Sequence, residues 1–146
     1  MPHSKERHYL MHPDSFQTLL SILPEEKLNR MLFETNMIDV GAYTIYQSIY
    51  DIAVSNKTKK SQAERLVRSV KQIIKSMNVI TCIPDLYIAI AKFGRLNGLG
   101  FVDAAHVYVS IRGKLILIVR DKQQAEKLGK YARCIEAANF SGSSMN

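Results

Sequence analysis

The chain reads as an α/β domain with a mainly parallel sheet covered by helices on both faces, and three observations lead there. Short β-branched or apolar segments alternate with longer segments of helical period, in the order β-α-α-β-α-α-β-α-α-β-α-β. No internal repeat interrupts that order. At 146 residues, 47% of them apolar, the chain has the length of one domain and the material for one core.

HYLMH (8–12) is expected as a first strand, and Pro13-Asp14-Ser15 offers turn or N-cap chemistry before the apolar spacing of FQTLLSIL. Pro24 with Glu25 and Glu26 restarts a helix, because Pro fits a first turn and acids favour the positive end of the helix dipole. MIDV (37–40) is a short strand. After Gly41, Ile45, Ile49 and Ile52 recur at helical spacing, with Tyr43, Tyr46, Gln47 and Tyr50 on other faces. The tyrosines suit packing or dimer contacts better than a base-stacking platform.

SNKTKKS is a basic loop. From Ser61 to Ser76 an amphipathic helix carries Leu66, Val70, Ile73 and Ile74 on one stripe and Arg65, Arg68, Lys71 and Lys75 on its outer face. NVITCI (78–83) is a strand, and Pro84-Asp85 starts the helix DLYIAIAKFGRLN, which Gly98 and Gly100 break. FVDAAHVYVSI is expected as a helix, with a strand competing because of its β-branched residues. KLILIVRD is a strand, KQQAEKLGKYA a helix and RCIEAANF a final strand. The domain is expected over 1–140, with SGSSMN (141–146) a disordered tail.

Charge narrows the function. Twenty Lys and Arg against thirteen Asp and Glu give a net charge of +7, which favours polyanionic partners, RNA foremost. The densest positive region is Arg65, Arg68, Lys71 and Lys75 with the loop Lys57, Lys59 and Lys60, for which an ordinary solvated helix face is the equal alternative; Arg120, beside Asp121, suits a phosphate or a structural partnership with that Asp equally. No helix-turn-helix spacing points to DNA. Cys82 and Cys134 stand apart in apolar surroundings, without a His or Cys at metal-ligand spacing, and read as buried thiols of a reducing cytosol. MPHSKERHYL lacks the apolar core of a signal peptide, and no apolar run is long enough to span a bilayer, so a cytoplasmic protein without a membrane partner is expected.

Chemistry concentrates in FVDAAHVYVSIRGKLILIVRDK (101–122), where Asp103 and Asp121 bracket two apolar segments. A helix over 101–112 is roughly 18 Å long and a strand over 114–121 roughly 25 Å. An antiparallel return through the short Gly-Lys link then brings the two acids to one rim. Alone, each acid is also a helix-start charge or N-cap. Converging, they form a cradle for Mg²⁺ or Mn²⁺, hard cations that take oxygen ligands. His106, one turn after Asp103, suits a hydrogen-bonded core position better than a ligand, and His12 lies two residues before Asp14.

The segment resembles the C-terminal half of PIN domains: DAAHVYVSI matches an Asp followed by small and apolar residues opening a helix, IVRD an apolar strand ending in a Thr-Arg-Asp-like element, and IEAANF a closing strand. The likeness covers about residues 8–140 and implies a PIN-like α/β/α sandwich. It also implies a first strand ending in Asp, assigned to Asp14-Ser15, and a strand-to-helix step bearing Glu, for which AYTIYQS offers Gln47. Val119 stands where a Thr or Ser usually precedes the Arg-Asp pair.

PIN domains are typically metal-dependent endoribonucleases, many of them toxins. The resemblance therefore implies RNA phosphodiester hydrolysis at Asp14, Gln47, Asp103 and Asp121, with Asp14, Asp103 and Asp121 holding Mg²⁺ or Mn²⁺. It also implies a homodimer and a small antitoxin-like partner protein. Gln47 is neutral and cannot act as a base, so metal affinity and rate should fall. The alternative is a PIN-like RNA-binding or protein-interaction module without catalysis.

Overall fold

The computed structural model describes residues 8–22, 26–27, 32–33, 35–54 and 60–144. The helix expected to restart at Pro24 falls mostly outside them, and Lys57 and Lys59 fall wholly outside. Five parallel strands form one sheet: β1 (Tyr9–Met11), β2 (Thr35–Ile38), β3 (Asn78–Ile80), β4 (Ile116–Val119) and β5 (Cys134–Glu136), in the order β3-β2-β1-β4-β5. The described helices are α1 (Pro13–Ile22), α2 (Asp39–Val54), α3 (Lys60–Ser76), α4 (Pro84–Asn97), α5 (Phe101–Gly113), α6 (Lys122–Leu128) and α7 (Ala137–Ser144). The expected α/β sandwich with a parallel sheet is the observed architecture.

Alternation along the strands splits the core in two. Met11, Met37 and Ile118 face a layer that includes Phe16, Leu19, Ile45, Val70, Ile74 and Phe140, from α1, α2, α3 and α7. Leu10, Ile38, Leu117 and Val119 face Ile90, Ala104, Val107 and Leu128, from α4, α5 and α6. The central strands β1, β2 and β4 are buried on both faces, while the edge strands β3 and β5 stay partly exposed.

The 101–113 segment is helical despite its β-branched residues, because its ends and packing decide. Gly98, at φ 66°, ends α4 in the left-handed conformation, and Gly100 starts α5. α4 and α5 then approach so closely that a Cβ on Gly94 would lie 2.9 Å from Cβ of Ala104. At the other end Lys114, at φ 53°, turns the chain into β4.

Two expected strands are displaced, and both shifts bear on the site. The second strand runs over Thr35–Ile38 and not 37–40, so Asp39 leaves the strand and opens α2. The last strand stops at Glu136, and AANF begins a helix continuing through Ser144, past the expected end of the domain at residue 140. Ala137 and Phe140 bury against the α1 side of the sheet, which a helix allows and an extended strand with alternating faces does not.

Candidate functional site

The chain runs outward from β1 to β2 and β3, then returns to place β4 on the other side of β1. That reversal opens a crevice beyond the carboxyl ends of β1 and β4, the usual place for ligands in open parallel sheets. The residues there come from the β1–α1 step, the start of α5 and the β4–α6 step.

β1 ends at Met11, and the next residue is His12, buried to 1% exposure. The strand-end position that the resemblance gives to Asp is therefore held by His12, with Asp14 two residues on, in the first turn of α1. Pro13 accounts for the offset: its fixed φ opens the helix, which makes His12 the cap. His12 Nδ1 accepts the backbone N–H of Asp14 at 3.1 Å. A nitrogen that accepts carries no proton, so the neutral ring bears its hydrogen on Nε2 and donates it to Asp103 Oδ1 at 2.8 Å.

Asp103 sits in the first turn of α5, and its other oxygen accepts Lys127 Nζ from α6 at 3.1 Å. The His12 hydrogen bond, helped by Lys127 and opposed by partial burial, holds the carboxyl down at about 2. Asp121 caps α6: Oδ1 accepts Gln124 N at 2.9 Å and Oδ2 accepts Arg120 Nε at 2.8 Å. These bonds, the Arg120 bond foremost, also keep its carboxyl below the ordinary range. Asp14, 42% exposed, accepts Gln124 Nε2 at 3.0 Å and lies 3.7 Å from Arg120.

Gln124 is buried and spans the rim, accepting the Arg120 N–H through Oε1 while donating to Asp14. Arg120 is the shared cation. The Asp121 bond first, and the charges of Asp121, Asp14 and Asp103, raise its pKa above its ordinary value.

The structure thus gathers Asp14, Asp103, Arg120 and Asp121 at one rim and leaves Gln47 elsewhere. Gly41 packs against this region, since a Cβ there would lie 2.9 Å from His106 Nε2. Gln47, six residues along α2, is turned about 120° from Gly41 by the helical repeat and is exposed. Thr44, about 60° from Gly41, lies nearer the rim side and donates to the Val40 carbonyl at 2.8 Å. The acid of the β2–α2 step is Asp39, whose oxygens accept from Cys82 N and Tyr87 Oη on the β3 side of the sheet. Burial and the Asp39 charge push the Cys82 thiol up to about 11.

Below His12 lies His106, fully buried, the ring centroids 4.9 Å apart. Its Nδ1–H donates to the Val102 carbonyl at 2.7 Å, leaving Nε2 as a buried acceptor without a partner among the described residues. Burial first, and His12 second, hold its pKa down at about 3. It is a neutral core histidine under the site.

Of the other candidates, Arg65 and Arg68 are exposed on α3, and Lys60 opens that helix with a side chain outside the described set. Sequence reasoning missed His12 as the strand-end group and Gln124 and Lys127 as rim donors. The spacing Asp121-x-x-Gln124-x-x-Lys127, one helical face, was the available signal.

The carboxylates do not form a ready metal cradle. Each oxygen acceptor named above is engaged by a protein donor, and among the described residues no three His, Cys, Asp or Glu are grouped to hold one ion.

Comparison with solved structures gives the fold a counterpart. The crystal structure of PAE2754 from Pyrobaculum aerophilum superposes with a TM-score of 0.78 at 17% identity, covering 94% of this chain and 96% of that one. FitAcB from Neisseria gonorrhoeae matches at a TM-score of 0.56 and 16% identity, over 89% of this chain and 98% of that one. The fold is PIN-like. No family model and no curated protein matches the sequence. The crevice of this chain holds three carboxylates and bonds them to the protein itself. Among the described residues no helix is long and apolar enough to cross a membrane.

Proposed function

We propose that the chain is a PIN-like RNA-binding module that holds RNA by its phosphates and does not cleave it. The observation carrying the binding half is the outer face of α3: Arg65, Arg68, Lys71 and Lys75 are all exposed, Val70 and Ile74 are buried beneath them, and none of the four cations pairs with a described acid. Such a row releases counterions when it meets a phosphate backbone, an affinity independent of base sequence. The rim is a poor rival for that role, because three carboxylates outnumber the cations Arg120 and Lys127.

The non-catalytic half rests on the His12–Asp103–Lys127 and Asp14–Gln124–Arg120–Asp121 bonds, which satisfy the carboxylates without a cation. A second reading, a Mg²⁺- or Mn²⁺-dependent ribonuclease acting through Asp14, Asp103 and Asp121, is favoured by the gathering of those acids at one rim. It requires Lys127 and Arg120, exposed by 60% and 44%, to swing off the carboxylates.

One experiment separates the readings: labelled single-stranded RNA is incubated with the protein and with Asp103→Asn, in Mn²⁺ and in EDTA, and scored for retention and for cleavage. Retention without cleavage in every arm is the expected result. Cleavage that needs Mn²⁺ and is lost in Asp103→Asn would establish the nuclease. Dimerisation and a small partner protein, suggested by the resemblance, are read by light scattering and co-purification.

A further inference from the structure

The amino ends of the strands, opposite the rim, hold a second concave feature. A cavity of about 600 Å³ opens there between the end of α5, the α6–β5 connection and the starts of β1 and β4. His8, Ser110, Lys114, Leu115, Tyr131 and Arg133 contribute to its wall. Its volume suits a small organic ligand, for which pockets of roughly 300–1,000 Å³ are usual. The four residues of β4 separate it from the rim by about 13 Å, so the two features are distinct.

We infer that this cavity binds a small phosphomonoester carrying a planar aromatic body with polar edge atoms, the chemistry of a nucleoside monophosphate. Three independent features support the assignment. Ser110 is 1% exposed, lines the cavity, and has an Oγ without a hydrogen-bond partner among the described residues. A buried hydroxyl in that state costs about 1–3 kcal/mol unless something fills its bonding capacity.

The cavity is also cationic. Lys114 and Arg133 stand at its mouth with His8, no acid lines it, and neither cation pairs with a described acid. Two helices end nearby, and helix carboxyl ends carry about half a negative charge each. Those ends are partly quenched: Ser110 O accepts Leu115 N at 2.9 Å, and Leu128 O accepts the N–H groups of Tyr131 and Ala132 at 3.0 and 3.1 Å. Two full positive charges therefore dominate. Lys114, moreover, is the one non-glycine residue at positive φ among the described residues, a conformation that ties its side chain to this turn.

Leu115, Ile116 and Ala132 supply apolar wall, and Tyr131 presents a ring held edge-on to Phe93 at 6.1 Å. A phosphate between Lys114 and Arg133 leaves room inward for an aromatic body against Tyr131, with Ser110 at the wall to bond a polar atom of it. Arg suits the phosphate by its fork of donors, and Lys as a mobile point charge.

Titration calorimetry and amide chemical-shift mapping with AMP, adenosine and inorganic phosphate test the assignment on the full chain at low salt. AMP should bind more tightly than either fragment and shift the amides of Ser110, Lys114 and Arg133. Lys114→Gln and Arg133→Gln should each weaken AMP by about tenfold, with thermal melts confirming that both fold. Ser110→Ala should leave the melting temperature of the free protein unchanged or higher while lowering the stabilisation AMP confers. The proposal falls if AMP does not bind up to about 5 mM, if adenosine or phosphate binds as well as AMP, or if Arg133→Gln and Lys114→Gln bind AMP like the parent.

Discussion

His12 Nε2 and Asp103 Oδ1, ninety-one positions apart in sequence, lie 2.8 Å apart in the fold and close the crevice between β1 and β4. This bond foremost, together with Lys127 and against partial burial, depresses the Asp103 carboxyl from 3.8 to about 2. A depressed carboxylate contributes stability that is fully present above its unfolded value and is lost as pH falls through the folded one. The shift corresponds to about 2 kcal/mol, gained above pH 4 and lost between pH 4 and pH 2. Urea unfolding across that window should show this loss in the parent chain and a flatter profile in Asp103→Asn.

His12→Ala should do more harm at pH 7 than Asp103→Asn. It empties a buried site, removes the acceptor for the Asp14 N–H and strips a half-buried carboxylate of its main donor. A loss of about 3 kcal/mol is expected, against about 1–2 for the Asn variant, which still presents an oxygen to Nε2–H. Equal losses in the two variants would mean that the bond, and not the cap, carries the whole effect.

His106 acts in a different pH window. Its folded pKa near 3 lies below the ordinary 6.5, so the unfolded chain takes up a proton first as pH falls. Stability from the neutral ring is present above pH 6.5 and declines below it by about 1.4 kcal/mol per pH unit until the folded pKa is reached. His106→Gln keeps a buried polar group but does not titrate. Denaturation midpoints between pH 7 and pH 4 should slope less in that variant than in the parent.

Gly41 measures how tightly α2 seats on that ring. A Cβ there would meet His106 Nε2 at 2.9 Å and Met37 Cγ at 3.6 Å, and the ring cannot yield because Nδ1 is pinned to Val102. Gly41→Ala should therefore destabilise by about 1–3 kcal/mol, although alanine is the better helix former by about 1 kcal/mol. Thermal unfolding of this variant beside Gly41→Ala/His106→Ala should show the cost falling when the ring is gone.

How far the sequence carried depended on how local each determinant was. Asp103 and Asp121 were legible because each opens a helix next to an apolar segment, and the antiparallel return follows from lengths alone. His12 was not, because Pro13 separates the strand from its first acid and makes a histidine the cap. Gln47 was misplaced relative to the rim by a two-residue slip: taking MIDV as strand started α2 late and hid both Asp39 and the Gly41 contact. Gln124 and Lys127 meet Asp14 and Asp103 only in three dimensions, 110 and 24 positions apart. AANF failed as a strand because Ala137 and Phe140 pack together on the α1 side of the sheet, while Ile135 and Glu136 before them remain in β5.

The charge on α3 yields the last prediction. Single-strand RNA binding by phosphate contacts weakens with salt at a log–log slope of about −0.7 per contact. Arg65→Gln with Arg68→Gln should therefore lower affinity and make the slope shallower by about 1.4, whatever the RNA sequence. Lys127→Gln, which removes a charge of the same sign from the rim, should leave that slope unchanged while raising the Asp103 carboxyl toward its ordinary range, since one of its two side-chain donors is lost. Fluorescence anisotropy at several salt concentrations reads the first effect, and carboxyl titration by NMR reads the second. If Lys127→Gln flattened the salt dependence as much as the α3 pair, the crevice and not the α3 face would be where RNA lies.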